Sequence, residues 1–81
     1  MAERNYLSIG QVVNLLRGAY PDLSNSKIRF LEDEGLITPH RTPTGYRQYS
    51  TADVDRLAAI LHLLKTRYMP LNVIKQRLEN A

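Results

Sequence analysis

Eighty-one residues, 43% apolar and 23% charged with a net charge of +3, describe one soluble globular domain, since domains that fold alone usually need about 50 to 250 residues. That length excludes a multidomain enzyme, and the absence of cysteine excludes disulfides and thiolate metal sites. No apolar run approaches the ~20 residues that cross a bilayer, and residues 1–7 (MAERNYL) lack the apolar stretch of a signal peptide, so a cytoplasmic chain without a membrane partner is expected.

Ser8 is placed to cap a first helix whose apolar residues Ile9, Val12, Val13 and Leu16 recur at helical spacing. The helix should end near Arg17-Gly18, and residues 18–22 (GAYPD) read as a turn, because the residue before Pro21 is pushed away from helical angles. A second helix over residues 24–34 has Ser24 as its cap and stops at Gly35. There glycine takes left-handed angles cheaply and Leu36 can fold back onto Leu31.

Residues 37–40 and 46–49 are short β-prone pieces joined by Arg41-Thr42-Pro43-Thr44-Gly45, the composition of a small hairpin. Alone it would be unstable, so it should protrude as a wing from a helical body. Ser50 and Asp53 open a third helix through a capping-box arrangement, with an apolar stripe of Val54, Leu57, Ala58, Leu61 and Leu64 that ends at Arg67-Tyr68-Met69-Pro70. A last helix from about Leu71 has Leu71, Ile74 and Leu78 on one side, and Lys75 and Arg77 off it.

Catalysis finds little to work with. His40 and His62 are far apart and lack the spacing of a metal site, so no cofactor is expected. Glu32, Asp33 and Glu34 point about 100° apart around a helix and cannot converge on one ion. They read as a solvated helix end, slightly unfavourable against the helix dipole.

The second helix is more informative. With Ile28 and Leu31 facing the core, Ser26, Arg29, Phe30 and Asp33 fall on the other side. Short polar groups and bases near a helix N-terminus suit the major groove, where arginine or lysine takes guanine and asparagine takes adenine. Asn25, Ser26, Lys27 and Arg29 are the candidate reading residues. Phe30 either joins them or packs under the wing. Arg41 and Arg47 flank the hairpin loop, and arginine forks fit phosphate oxygens, fixing register without reading sequence. Tyr46, beside Gly45, is expected to be exposed, and Tyr49 to join the wing to the third helix within the core.

The ordered segments Leu7-Ser8-Ile9-Gly10-Gln11-Val12, Ile28-Arg29-Phe30-Leu31-Glu32, Gly35-Leu36-Ile37 and Thr44-Gly45-Tyr46-Arg47-Gln48-Tyr49-Ser50, with Asp53 and Arg56-Leu57 following, together resemble the N-terminal winged-helix domain of MerR-family transcription regulators. The resemblance covers about residues 6–78. It implies a mostly α fold with a small two-stranded hairpin: helix-turn-helix over about 8–35, wing over about 37–49 and a second helix pair over about 51–79. It also implies sequence-specific binding to double-stranded DNA as a homodimer on a pseudo-palindromic promoter, where bending and untwisting change its use by RNA polymerase.

Carried over by position, Arg29 matches the recognition-helix arginine, and Tyr46 and Arg47 match wing residues that grip the backbone. The turn before Leu71 would present a helix N-terminus to another phosphate. The connection over 17–22 is longer than in typical members and is similar to that of an actinobacterial subgroup, and Phe30-Leu31 replaces the usual aromatic pair. Dimerisation is expected through a region beyond Ala81. Two other readings are an excisionase-type architectural factor that bends DNA, and a protein-interaction module using the third helix; the enzyme reading has no convergent polar site.

Overall fold

A computed structural model describes residues 6–80; the N-terminal residues of the MAERNYL segment up to Asn5, and Ala81, lie outside them. Four helices and a two-stranded hairpin follow one another: α1 (Ile9–Leu16), α2 (Asn25–Asp33), β1 (His40–Arg41), β2 (Arg47–Gln48), α3 (Thr51–Thr66) and α4 (Leu71–Glu79). The expected mostly helical winged architecture is thus present, with elements in the expected order. Among the described residues no helix is long and apolar enough to cross a membrane.

Local chemistry sets the helix starts. The Ser8 hydroxyl accepts from the Gln11 amide while the Gln11 side chain accepts from the Ser8 amide, a full capping box. Ser50 and Asp53 make the same reciprocal pair at 3.1 and 2.9 Å. Ser24 caps α2 by accepting from the Lys27 amide. The far end of α2 closes as a Schellman turn: the amides of Gly35 and Leu36 bond the carbonyls of Glu32 and Leu31, and Gly35 takes φ +80°. Leu36 and Leu31 are both buried, which is the fold-back expected from the sequence.

The core gathers Val12 and Val13 of α1, Ile28 and Leu31 of α2, Leu36 and Ile37 of the following loop, and Val54, Leu57, Ile60 and Leu61 of α3, with Ile74 of α4 and Tyr49. Ile60 is fully buried although the stripe drawn for the third helix omitted it, and Ala58 and Leu64 are only partly covered. The long connection between α1 and α2 is tied to α3 by two side chains. The Tyr20 hydroxyl donates to the Ala58 carbonyl at 3.4 Å, and Lys65 donates to the Ala19 carbonyl while its ammonium lies 5.6 Å from the Tyr20 ring centre.

The strands are shorter than the β-prone segments. Pro39 has no amide to donate, so pairing begins at His40. The antiparallel register sets His40 opposite Gln48 and Arg41 opposite Arg47. The loop between them closes when the Gly45 amide bonds the Thr42 carbonyl, after which Gly45 adopts φ +92°. At the base of the wing Tyr49 pairs with Leu7 through two 2.8 Å backbone bonds, a third strand contact that fastens the ribbon to the N-terminal segment.

Candidate nucleic-acid interface

The exposed side of α2 carries Asn25, Ser26, Lys27, Arg29 and Phe30, all solvent-accessible, while Ile28 and Leu31 are fully buried. Of the two placements for Phe30, the structure has the open one, with 45% of its surface exposed and the Lys27 ammonium 5.8 Å from its ring centre. Ser24 holds the first turn, so the polar residues after it are presented from a fixed helix end. Lys27 and Arg29 diverge, since two helical steps separate them by about 160° around the axis. Arg29 lies on the flank toward the wing. Lys27 lies on the other, where with Tyr20, Leu23, Leu61, Leu64 and Lys65 it lines an apolar groove between the α1–α2 connection and α3.

The wing and α2 meet at Glu32. One carboxylate oxygen accepts from the Arg47 Nε at 2.6 Å and the other from an Arg41 terminal nitrogen at 2.9 Å. The Glu32 side chain is only 15% exposed, against 25% for Arg47 and 50% for Arg41. The expectation that residues 32–34 form a merely solvated helix end is therefore corrected for Glu32, and stands for the exposed Asp33 and Glu34. Four residues after Ile28, Glu32 sits about 40° from it around the helix, on the border between core and open face. That position was the available signal.

Electrostatics binds the cluster together. Burial pushes the Glu32 carboxyl up, but the hydrogen bonds and charges of Arg47 and Arg41 outweigh it and leave the pKa below the ordinary value. Arg47 is raised by its bond to Glu32. Behind them Tyr49 is fully buried, and its hydroxyl has no hydrogen-bond partner among the described residues. Burial pushes that phenol above its usual range, Glu32 adds to the rise, and Arg47, Arg29 and Arg41 oppose it.

Guanidinium groups from α2, β1 and β2 thus bear on one hydroxyl. Arg29 precedes Glu32 by one helical turn, and Glu32 holds Arg41 and Arg47. Tyr46, 73% exposed, extends from the same ribbon. His40 stacks on Tyr6 at 5.6 Å, and among the described residues no group of three His, Asp or Glu side chains could hold a metal.

At the start of α4, Pro70 supplies no side-chain cap, and Tyr68 just before it has φ +50° and is 87% exposed. The resemblance pointed to this helix N-terminus, whereas nothing in the sequence marked the left-handed backbone of Tyr68.

A family model described as "MerR HTH family regulatory protein" matches residues 7–81. The chain is 49% identical over 73 residues to the uncharacterized HTH-type transcriptional regulators Rv1828 of Mycobacterium tuberculosis and Mb1859 of Mycobacterium bovis, covering 90% of this chain and 30% of each relative. It is 36% identical to the HTH-type transcriptional regulator TnrA of Bacillus subtilis over 90% of this chain and 62% of that protein. The chain therefore spans about a third of the length of the mycobacterial relatives it matches. By the match of its helix-turn-helix and wing over nearly every residue, it belongs to the MerR family of helix-turn-helix regulatory proteins.

Proposed function

We propose that this chain is the sequence-specific, double-stranded DNA-binding domain of a transcription regulator in the cytoplasm. The first turns of α2 enter the major groove, where Asn25, Ser26 and Arg29 face base edges, with Lys27 and Phe30 on the adjoining flank. Arg41, Arg47 and Tyr46 of the wing take phosphates of the same duplex. Two copies bind a pseudo-palindromic promoter site, joined through a region beyond Ala81, and act on RNA polymerase through the shape of that promoter. No metal or cofactor enters this reading. The uncapped N-terminus of α4 after Pro70 supports a further backbone contact.

The observation that supports the proposal is the pair of contacts from Glu32 of α2 to Arg41 and Arg47 of the wing, which joins the two elements one helical turn from Arg29. The family match favours a regulator over an excisionase-type factor. The test is selection of bound duplexes from a random-sequence pool by two copies joined through a flexible linker. Enrichment of one motif with two related halves is the expected result; an unenriched pool contradicts it.

A further inference from the structure

We infer that Glu32 is the positioning residue of the wing, holding Arg41 and Arg47 against α2 so that base reading and phosphate anchoring act as one rigid unit; this rests on the DNA reading above. Arg41 and Arg47 are direct cross-strand partners, and like charges facing each other across a ladder repel. Without a counter-charge the two side chains would splay into solvent in opposite directions. Glu32 supplies that charge from another element, one oxygen to each arginine, at the middle of the ribbon.

The geometry leaves the arginines able to bind. Each bond to Glu32 uses one of the five N–H donors of a guanidinium, so each arginine retains donors for a phosphate oxygen. The trio keeps a net charge of about +1 and stays attractive to a polyanion. A ribbon with two paired residues per strand cannot hold its own orientation. Its base is fixed by Tyr49 and Leu7, and its arginine-bearing stretch by Glu32. Arginines already ordered before DNA arrives lose less conformational freedom on binding, which is where positioning becomes affinity.

The test is a cycle of Glu32→Ala, Arg47→Ala and the double variant, titrated with a duplex carrying the selected motif and a scrambled duplex of equal length, with thermal melting recorded alongside. In the native background Arg47→Ala should weaken binding to the selected duplex about tenfold, and in the Glu32→Ala background less than about twofold, because Arg47 is no longer placed. Glu32→Ala alone should weaken binding despite removing a negative charge. Glu32→Gln, whose amide oxygen can still accept from Arg47, should fall between and carries the test if Glu32→Ala does not fold.

A full Arg47→Ala loss persisting without Glu32 overturns the inference. So does tighter binding of Glu32→Ala to both duplexes, which would make the carboxylate a simple source of repulsion. If the unsubstituted chain binds neither duplex, the DNA reading falls and the inference with it; if it binds and the two losses merely add, only the inference falls.

Discussion

Glu32 of α2 and Arg47 of β2 are joined by a 2.6 Å hydrogen bond between Oε1 and Nε, although fifteen positions separate them along the chain. The same carboxylate takes Arg41 from the other strand. A charged contact thus joins α2 to the wing beside the apolar core, and its strength varies with pH.

Because the folded-state pKa of Glu32 is depressed, the stability it contributes is present above the unfolded value of about 4.5 and is lost as pH falls through the lower folded value. Thermal melts of the native chain and Glu32→Gln should differ at pH 7 and converge once the pH has dropped through that window. A difference that persists at the acid end would separate the effect from ionisation.

Base reading and backbone anchoring should leave different signatures. Arg29→Ala is expected to cost about 1 to 3 kcal/mol at one base position of the selected duplex and little on scrambled DNA. Arg47→Ala should weaken both duplexes and lower the slope of log affinity against log salt by about one. Titration across salt concentrations distinguishes them, and an Arg47→Ala variant with native slope would remove the wing from the interface.

Tyr49→Phe removes a buried hydroxyl that has no partner among the described residues. An unsatisfied buried polar group costs about 1 to 3 kcal/mol, so the variant should be at least as stable as the native chain, by about 1 kcal/mol in urea unfolding. A loss of stability would show that the hydroxyl is engaged.

Two left-handed residues predict opposite outcomes. Gly35→Ala places a Cβ at φ +80°, 2.8 Å from the flexible tip of Lys75; the lysine can move, but the backbone penalty of about 1 to 2 kcal/mol remains as destabilisation. Tyr68 already bears that penalty at φ +50° while 87% exposed. Tyr68→Gly relieves about 1 to 2 kcal/mol and costs about 0.5 to 1 in extra unfolded-state entropy, so a small net stabilisation is expected by urea unfolding.

What the sequence made legible was local. Ser24 and Ser50 announce helix starts through hydroxyls that bond amides three residues on, and Gly35 announces a stop because few other residues tolerate its backbone angle. The exposed Tyr46 and buried Tyr49 follow from the glycine beside one and the helix cap beside the other. Ile60 was legible too: it lies three residues after Leu57, on the same stripe as Leu61.

Contacts between distant segments were not legible. The Leu7–Tyr49 bridge involves one residue on each side and leaves no periodic pattern. Glu32 looked like one acid of three because its partners become neighbours only once the wing folds back. Its place on the helical wheel, between Ile28 and Arg29, marked it as different from Asp33 and Glu34, yet the wheel alone could not name Arg41 and Arg47.

The central claim is that the N-terminal half of α2 and the wing touch one duplex at the same time. Amide and arginine-side-chain NMR shifts of the labelled chain, followed during titration with the selected duplex, test it most directly. The account predicts that signals of Asn25, Ser26, Arg29, Arg41, Tyr46 and Arg47 move together along one saturation curve while Leu15, exposed on α1, stays in place. Movement of the α2 signals with the wing unchanged, or of the wing with α2 unchanged, would contradict it.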